Sequence, residues 1–158
     1  MIFITTGSQK FQFNRLLKEV DRLIDTGVIK EEVYAQIGYS DYKPKNYKFT
    51  NFMDRDDFAS YVDKSEIVIT HGGTGVIIGA VKKGKKVIAV PRLAKYGEHV
   101  DDHQIQLLTQ FDDANLICAC YETEDIEKNI QNIKTMEFGV YESNTQTIID
   151  DIEQFLRS

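Results

Sequence analysis

The sequence is poor in the residues that small secreted or metal-binding domains need. It has no tryptophan, two prolines and two cysteines in 158 residues. Cys118 and Cys120 lie in one apolar segment, and no nearby residue completes the four ligands of a structural zinc site. We therefore expect both to be core thiols in a protein of a reducing compartment.

Long apolar runs are missing as well. No segment approaches the roughly 20 consecutive apolar residues of a membrane span. The first residues, Met1 to Thr5, read as a short strand and carry neither the basic region nor the cleavage pattern of a secretion signal. We expect a cytoplasmic protein unless something else carries it to a membrane.

An excess of positive charge is also absent. The net charge is -6 and the pI is near 5.1, which argues against a protein that wraps nucleic acid. The single strong basic cluster, formed by Lys82, Lys83, Lys85 and Lys86, is interpreted as a solvated helix end. A surface for acidic lipid or for a partner is the alternative.

The order of strand-like and helix-like segments predicts one domain, residues 1–158, with a doubly wound parallel α/β sheet of the Rossmann-like type. Apolar runs and helical periodicity place strands at 2–5, 33–38, 47–50, 66–70, 86–90 and 115–119. The same patterns place helices at 13–25, 54–64, 74–83, 101–111, 123–133 and about 144–156. Gly84 fits the C-cap of the helix at 74–83.

The most informative motif is the segment Ile69–Gly75, in which an apolar strand runs into glycines and then into a helical pattern. Glycines allow a tight turn and close approach of the backbone to a ligand. The free N–H groups and the dipole of the following helix favour a diphosphate. The motif predicts a nucleotide-type ligand, although a glycine turn that only connects strand and helix remains the alternative.

In open α/β sheets, ligands bind outside the carboxyl ends of the strands. This rule predicts that three polar segments meet along one edge of the sheet: Thr5–Ser8, His71–Thr74 and the segment that begins at Pro91. Together they would form a cleft.

Two familiar nucleotide signatures are nearly matched and are rejected. Residues 79–86 resemble a P-loop, but the last position holds Lys86 instead of Ser or Thr, and the lysine enters a strand instead of opening a helix. Gly73, Gly75 and Gly79 resemble a dinucleotide fingerprint, but that fingerprint normally follows the first strand.

The richest polar segment is Pro91–Gln104, and three interpretations are open. His99 and His103 stand four residues apart, yet the spacing lacks the glutamate of the zinc proteases. Asp, His and Gln side chains together offer donors and acceptors that suit a hydroxyl-rich sugar. The third interpretation is a solvated loop in which Asp101 or Asp102 caps the next helix.

Taken together, the motifs Thr-His-Gly-Gly-Thr-Gly, Lys-Lys-Val-Ile-Ala-Val-Pro and Glu-His-Val-Asp-Asp-His-Gln resemble the donor-binding half of GT-B glycosyltransferases. This branch includes the cytosolic subunit of the dolichol-linked GlcNAc transferase and the carboxyl-terminal half of the bacterial peptidoglycan GlcNAc transferase. Residues 91–104 are more similar still to the small subunit of the two-subunit glycosyltransferases of bacterial capsules and exopolysaccharides.

The resemblance implies a role for each matching residue. It assigns the donor diphosphate to the glycine-rich loop, which consists of His71, Gly72, Gly73, Thr74 and Gly75. It assigns the acceptor side to the first loop, with Thr6, Gly7 and Ser8. It assigns the sugar to Asp102, His103 and Gln104. One position departs from the family, because Gly79 stands where a glutamate often binds the ribose.

Inverting transfer needs a base for the acceptor hydroxyl and positive potential on the departing UDP. The candidates for the base are His71, Glu98 and His103, and Arg92 is a candidate for assisting the diphosphate. Because the glycine-rich loop can stabilise that charge by itself, we expect no metal and no cofactor.

A GT-B enzyme closes its cleft between two sheets, and this chain has the length for one. The resemblance therefore implies a membrane-attached partner subunit that presents a polyprenyl-diphosphate-linked sugar. It also implies transfer of a hexose, with galactose from UDP-galactose and a β-1,4 linkage favoured. A noncatalytic subunit that binds or senses nucleotide sugar is the competing hypothesis, and the chain is too short for the related UDP-sugar epimerases.

Overall fold

The computed structural model describes residues 1–7, 10–98, 103–122 and 124–133. The strands are β1 (Ile2–Thr5), β2 (Val33–Gln36), β3 (Lys48–Thr50), β4 (Ile67–Thr70), β5 (Lys86–Ala89) and β6 (Cys118–Ala119). The helices are α1 (Asn14–Asp25), α2 (Arg55–Lys64), α3 (Thr74–Lys82), α4 (His103–Asp113) and α5 (Glu124–Ile133), with a 3₁₀ turn at Ala94–Tyr96. The predicted last helix, 144–156, lies outside the described residues.

All six strands form one sheet in the order β3-β2-β1-β4-β5-β6, and every neighbouring pair is parallel. At the centre β1 and β4 lie side by side, with Thr5 opposite Thr70. From β1 the chain builds the sheet towards one edge, and from β4 it builds towards the other. This topological switch point is where such sheets bind ligands. The predicted doubly wound fold is confirmed.

Side chains that alternate along each strand fill two separate cores. On β1, Ile2 and Ile4 belong to the core that includes α1 and α5, whereas Phe3 belongs to the core that includes α2, α3 and α4. The central strands are therefore buried on both faces, which explains why their sequences are apolar at nearly every position. Burial of each large aliphatic side chain contributes about 1.5–3 kcal/mol to this packing.

The ends of two helices differ in how well the sequence predicts them. After α3, Gly84 adopts a φ of +73°, and the N–H groups of Gly84 and Lys85 donate to Val81 O and Ala80 O. These paired bonds are a Schellman motif, which agrees with the predicted glycine cap. After α4, Asn115 adopts a φ of +58° and closes the helix. The prediction that a strand begins at Asn115 is therefore wrong, and β6 begins three residues later.

The basic cluster lies at the end of the sheet where β5 begins. Lys83 forms an ion pair with the Asp63 carboxylate at 2.9 Å, and the Lys85 ammonium donates to the Asp63 carbonyl at 2.9 Å. The Lys86 ammonium donates to Ile133 O at 2.9 Å. These lysines connect α2 and α5 to the start of β5. They lie at the amino-terminal ends of the strands, opposite the carboxyl ends.

Two further observations concern the length of the apolar helices and the state of the cysteines. Within the described residues, no helix is both long and apolar enough to cross a membrane. Cys118 and Cys120 are buried free thiols, as the sequence predicts.

Candidate functional site

The carboxyl ends of the neighbouring strands β1, β4 and β5 lie side by side, and the loops that follow them form the surface here called the rim. It comprises residues 5–7, 70–73 and 90–93. The His71 N–H donates to Thr5 O at 3.4 Å, and the Val90 N–H donates to Thr70 O at 2.8 Å. The predicted meeting of the three polar segments is confirmed for the described residues.

His71 lies within the rim between two glycines, and its side chain is largely buried, with 6% of the residue exposed. A Cβ atom added to Gly7 would stand 2.4 Å from His71 Nε2, and one added to Gly73 would stand 2.5 Å from His71 Cε1. Both distances are far below van der Waals contact. The imidazole therefore requires glycine on each side, which ties the first loop to the glycine-rich loop through one side chain.

A third loop supports this arrangement from the side of β2. Gly38 has a φ of +57°, and a Cβ atom there would stand 2.8 Å from Gly7 O. The Thr6 hydroxyl donates to Gln36 O at 3.2 Å. Sequence reasoning placed Gly38 at the end of a predicted strand and missed its packing role. The glycine directly after a buried strand was the available signal.

The N-terminus of α3 directly follows His71. Its first helical hydrogen bond runs from the Ile77 N–H to Gly73 O, at 3.2 Å. The N–H groups of residues 74–76 therefore precede the helical ladder. Gly73 is the N-cap, and no side chain among the described residues caps this end. The geometry offers N–H groups and the positive end of the helix dipole to an anion.

Arg92 is almost completely enclosed, with 1% of the residue exposed. Its guanidinium donates to the carbonyl oxygens of Thr6, Phe11 and Glu98 and lies 5.2 Å from the ring centroid of Phe13. Burial lowers the pKa of Arg92 to about 10, with Glu98 acting in the opposite direction, so the side chain stays charged at neutral pH. Arg92 is a candidate for assisting the diphosphate from its place in the sequence, and in the structure its two Nη atoms donate to backbone carbonyls.

Glu98 is likewise enclosed, and its carboxylate is held by Arg15. Arg15 Nε donates to Glu98 Oε2 and Arg15 Nη2 donates to Glu98 Oε1, both at 3.0 Å. The Leu93 N–H also donates to Glu98 Oε1, at 3.0 Å. A base needs access to the acceptor hydroxyl, whereas this carboxylate is 1% exposed and paired with a cation. The arrangement favours a structural over a catalytic role for Glu98.

Sequence reasoning did not single out Arg15. It lies on α1 as one of several charged residues, and its partner stands 83 positions later in the chain. No local pattern joins the two.

The remaining predicted site residues are described only in part. Thr74 belongs to α3, and His103 and Gln104 begin α4, while the placement of their side chains is not described. Ser8 and Asp102 lie outside the described residues, as does His99 of the possible metal pair. In the part of the chain that is described, no three His, Cys, Asp or Glu side chains cluster as metal ligands would.

Comparison with known proteins identifies the family. The model of the glycosyltransferase family 28 C-terminal domain matches residues 1–155. The match covers nearly the whole sequence, so the chain belongs to this family. This finding agrees with the resemblance drawn from the motifs.

Two curated relatives share part of the sequence. The UDP-N-acetylglucosamine transferase subunit ALG13 of Candida albicans is 24% identical over 91 residues, which are 58% of this chain and 29% of that protein. The protein of the same name from Debaryomyces hansenii is 30% identical over 115 residues, which are 66% of this chain and 54% of that protein. The chain thus spans about half or less of the length of these relatives.

Solved structures share the fold over almost the whole chain. A glycosyltransferase of kitacinnamycin superimposes with a TM-score of 0.61 at 11% identity, covering 99% of this chain and 38% of that enzyme. MurG of Acinetobacter baumannii gives a TM-score of 0.55 at 17% identity, covering 97% of this chain and 49% of MurG. At such identities the likeness concerns the fold alone, and it confirms a Rossmann-like half of the GT-B type.

Proposed function

We propose that this chain binds the UDP-sugar donor of an inverting glycosyltransferase and that a second polypeptide supplies the acceptor half of the site. The observation that carries the proposal is the rim, where the buried His71 lies between Gly7 and Gly73 directly before the N-terminus of α3. Membership of the glycosyltransferase family 28 C-terminal domain is consistent with that use of the rim.

The rim suits the charge that develops during transfer. As the bond from the sugar to UDP breaks, negative charge grows on the diphosphate. The N–H groups of residues 74–76 and the dipole of α3 would stabilise that charge at the loop of Gly72 and Gly73. We expect binding and transfer without a metal, because these donors already supply positive potential.

The source of the catalytic base is part of the proposal. With Glu98 held by Arg15, His71 is the described side chain best placed to accept a proton, since it lies in the rim itself. His103 at the start of α4 stays a second candidate, and the partner is a third source. His71→Ala should therefore abolish transfer while leaving the fold intact.

Two observations favour different donor sugars. The motif of residues 91–104 favours galactose from UDP-galactose, transferred to a polyprenyl-diphosphate-linked sugar during capsule or exopolysaccharide synthesis. The names of the two curated relatives favour GlcNAc instead. A polyprenyl-diphosphate-linked acceptor would place the chain at the cytoplasmic face of a membrane, attached through its partner.

The first experiment is calorimetric titration of the purified chain with UDP, UDP-galactose, UDP-GlcNAc, UDP-glucuronate and NAD, with EDTA and then with Mg²⁺. Binding of UDP in EDTA, with a preference for one UDP-sugar, would support the donor site and name the sugar. If UDP binds neither to the chain nor to its complex with the partner, the proposed function fails. A requirement for Mg²⁺ would contradict the metal-independent site alone.

A noncatalytic subunit that binds nucleotide sugar is the second candidate. The enclosed Glu98 and the glycine at position 79 favour it, because one candidate base and one ribose ligand are then missing. Transfer assays with the partner separate the two functions. Loss of transfer in His71→Ala, assayed at a UDP-sugar concentration that saturates the variant, supports catalysis in this chain, whereas full transfer by that variant supports the noncatalytic subunit.

A further inference from the structure

Two segments of the rim are joined by a buried group of charges. Arg92, at the start of the connection from β5 to α4, donates to the carbonyls of Thr6 and Phe11 in the loop from β1 to α1. One side chain thus bonds to the backbone at both ends of that loop. It also donates to Glu98 O, at 3.2 Å, within its own segment.

Arg15 closes the same group from α1. Its guanidinium makes two bonds of 3.0 Å to the Glu98 carboxylate and a third bond, of 3.1 Å, to Pro91 O. It lies 4.8 Å from the ring centroid of Tyr96. The Gln12 amide adds a bond of 2.9 Å to Tyr96 O. The segment 91–98 is therefore held against the beginning of α1 at several points.

Burial of charged groups costs free energy, and a stable core can be built without them. A buried ion pair is often no more stabilising than well-packed apolar residues, but loss of one partner is strongly destabilising because the other charge is left uncompensated. The two-pronged contact of a guanidinium with a carboxylate adds directional specificity. The group thus sets the relative position of two loops more effectively than it adds stability.

We propose that Arg15, Glu98 and Arg92, here called the rim clamp, are positioning residues that hold the loop from β1 to α1 and the segment 91–98 in the geometry that sugar recognition needs. Arg92 and the Glu98 side chain are each 1% exposed and the Arg15 side chain is 15% exposed, so we assign to them a positioning role and not direct contact with the ligand. This inference rests on the proposed function and deepens it.

The clamp acts on sugar recognition through the chain itself. Glu98 stands four residues before Asp102, His103 and Gln104, to which the resemblance assigns the sugar contacts. The hydrogen bonds described for the clamp join the loop from β1 to α1 to the segment 91–98. The backbone of the glycine-rich loop of residues 71–75 is held by β4 and α3, and this loop meets the clamped loop where His71 packs against Gly7. Loss of the clamp should therefore weaken binding of the sugar moiety more than binding of UDP.

The test compares Glu98→Gln with Glu19→Gln in the full chain. Glu19 also pairs with an arginine of α1, because Arg22 Nη2 lies 2.6 Å from its carboxylate, but that pair is more exposed than the clamp, with 15% of the Glu19 and 48% of the Arg22 side chain accessible. We expect Glu98→Gln to lose about tenfold in affinity for the preferred UDP-sugar, by analogy with residues that orient metal ligands, whose loss typically costs about 10–100-fold. Affinity for UDP should change less than threefold, about 0.6 kcal/mol, and Glu19→Gln should match the wild type.

Hydrogen exchange measures the clamp without any ligand. In Glu98→Gln the amides of residues 6–13 and 92–98 should exchange about tenfold faster, whereas those of β2 and of the second half of α1 should not change. Arg15→Lys, which keeps the charge but not the fork, should show the same pattern and guards against misfolding of the first variant.

The outcomes separate this inference from the proposed function. If the wild type binds no UDP ligand even with the partner, the proposed function fails. The clamp is then tested by hydrogen exchange alone. Exchange in both segments equal to that of Glu19→Gln would overturn the clamp. Acceleration across the whole chain, or equal losses for UDP and UDP-sugar, would overturn it too, because either result indicates a general structural role.

Discussion

At the scale of single residues, the site depends on how closely His71 approaches two glycine backbones. Gly73→Ala would bring a methyl group to 2.5 Å from the imidazole and displace it. Overpacking of this kind costs about 1–3 kcal/mol, and 1.4 kcal/mol corresponds to a factor of ten in affinity. We expect the affinity for UDP to fall about tenfold or more, measured by calorimetry.

Gly79→Ala is the matched control in the same helix, because a Cβ atom there would meet nothing within 4 Å. Alanine is the better helix former, so this variant should keep its affinity for UDP and gain about 0.5–1 kcal/mol in the free energy of unfolding. Equal affinities for Gly73→Ala and Gly79→Ala would show that the position of His71 does not matter for binding.

At the scale of elements, α1 organises the connection from β2 to β3 through one buried carboxylate. Asp21 is 4% exposed and accepts hydrogen bonds from the Lys45 N–H at 2.9 Å, the Asn46 N–H at 3.0 Å and the Tyr42 hydroxyl. In Asp21→Asn an amide NH₂ would face one or more of these donors. We expect a loss of about 1–3 kcal/mol in urea unfolding.

Asp25→Asn provides the comparison on the same helix, since the Asp25 carboxylate accepts a side-chain bond from Asn46 at the surface. It should change the free energy of unfolding by less than about 0.5 kcal/mol. A similar loss in both variants would contradict a special role for Asp21.

The hydrogen bond from the Tyr42 hydroxyl to Asp21 predicts that the free energy of unfolding falls at alkaline pH. The hydrogen bond to Asp21, together with burial, raises the pKa of Tyr42 to about 12. In the unfolded chain Tyr42 ionises near pH 10, so its contribution is complete below about pH 10 and is lost as the pH rises through about 12. Urea unfolding at pH 8 and pH 11 should show a larger loss for the wild type than for Tyr42→Phe. Burial also raises the pKa of Tyr47, which is present in both proteins.

At the scale of the whole molecule, the sheet places the described parts of the candidate ligand-binding loops on one rim, and the proposed partner would cover that rim. We expect the purified chain to bind UDP-sugar but to transfer sugar to a lipid-linked acceptor only when the partner is added. A coupled assay for released UDP, with the chain alone, the partner alone and both together, measures this. Full transfer by the chain alone would contradict the division of the site between two polypeptides.

Local sequence patterns predicted the parts of the fold that depend on short-range physics. The apolar run of residues 66–70 predicted a strand buried on both faces, and Gly84 predicted the end of α3, because strand burial and helix caps are encoded within a few residues. Asn115 shows the limit, since its left-handed conformation ended α4 inside a segment that looked like a strand. The local pattern around Asn115 fits a turn at this asparagine as well as it fits a strand that begins there.

The sequence by itself determined the order of the elements, the parallel sheet and the convergence of three polar loops at its carboxyl end, because periodicity, glycine position and strand order are properties of neighbouring residues and of simple topology. Only the tertiary structure decided what those loops contact. It placed His71 against Gly7 and Gly73, and it enclosed Glu98 with Arg15 from a position 83 residues away. Such contacts depend on distances and burial, which packing of the complete sheet sets.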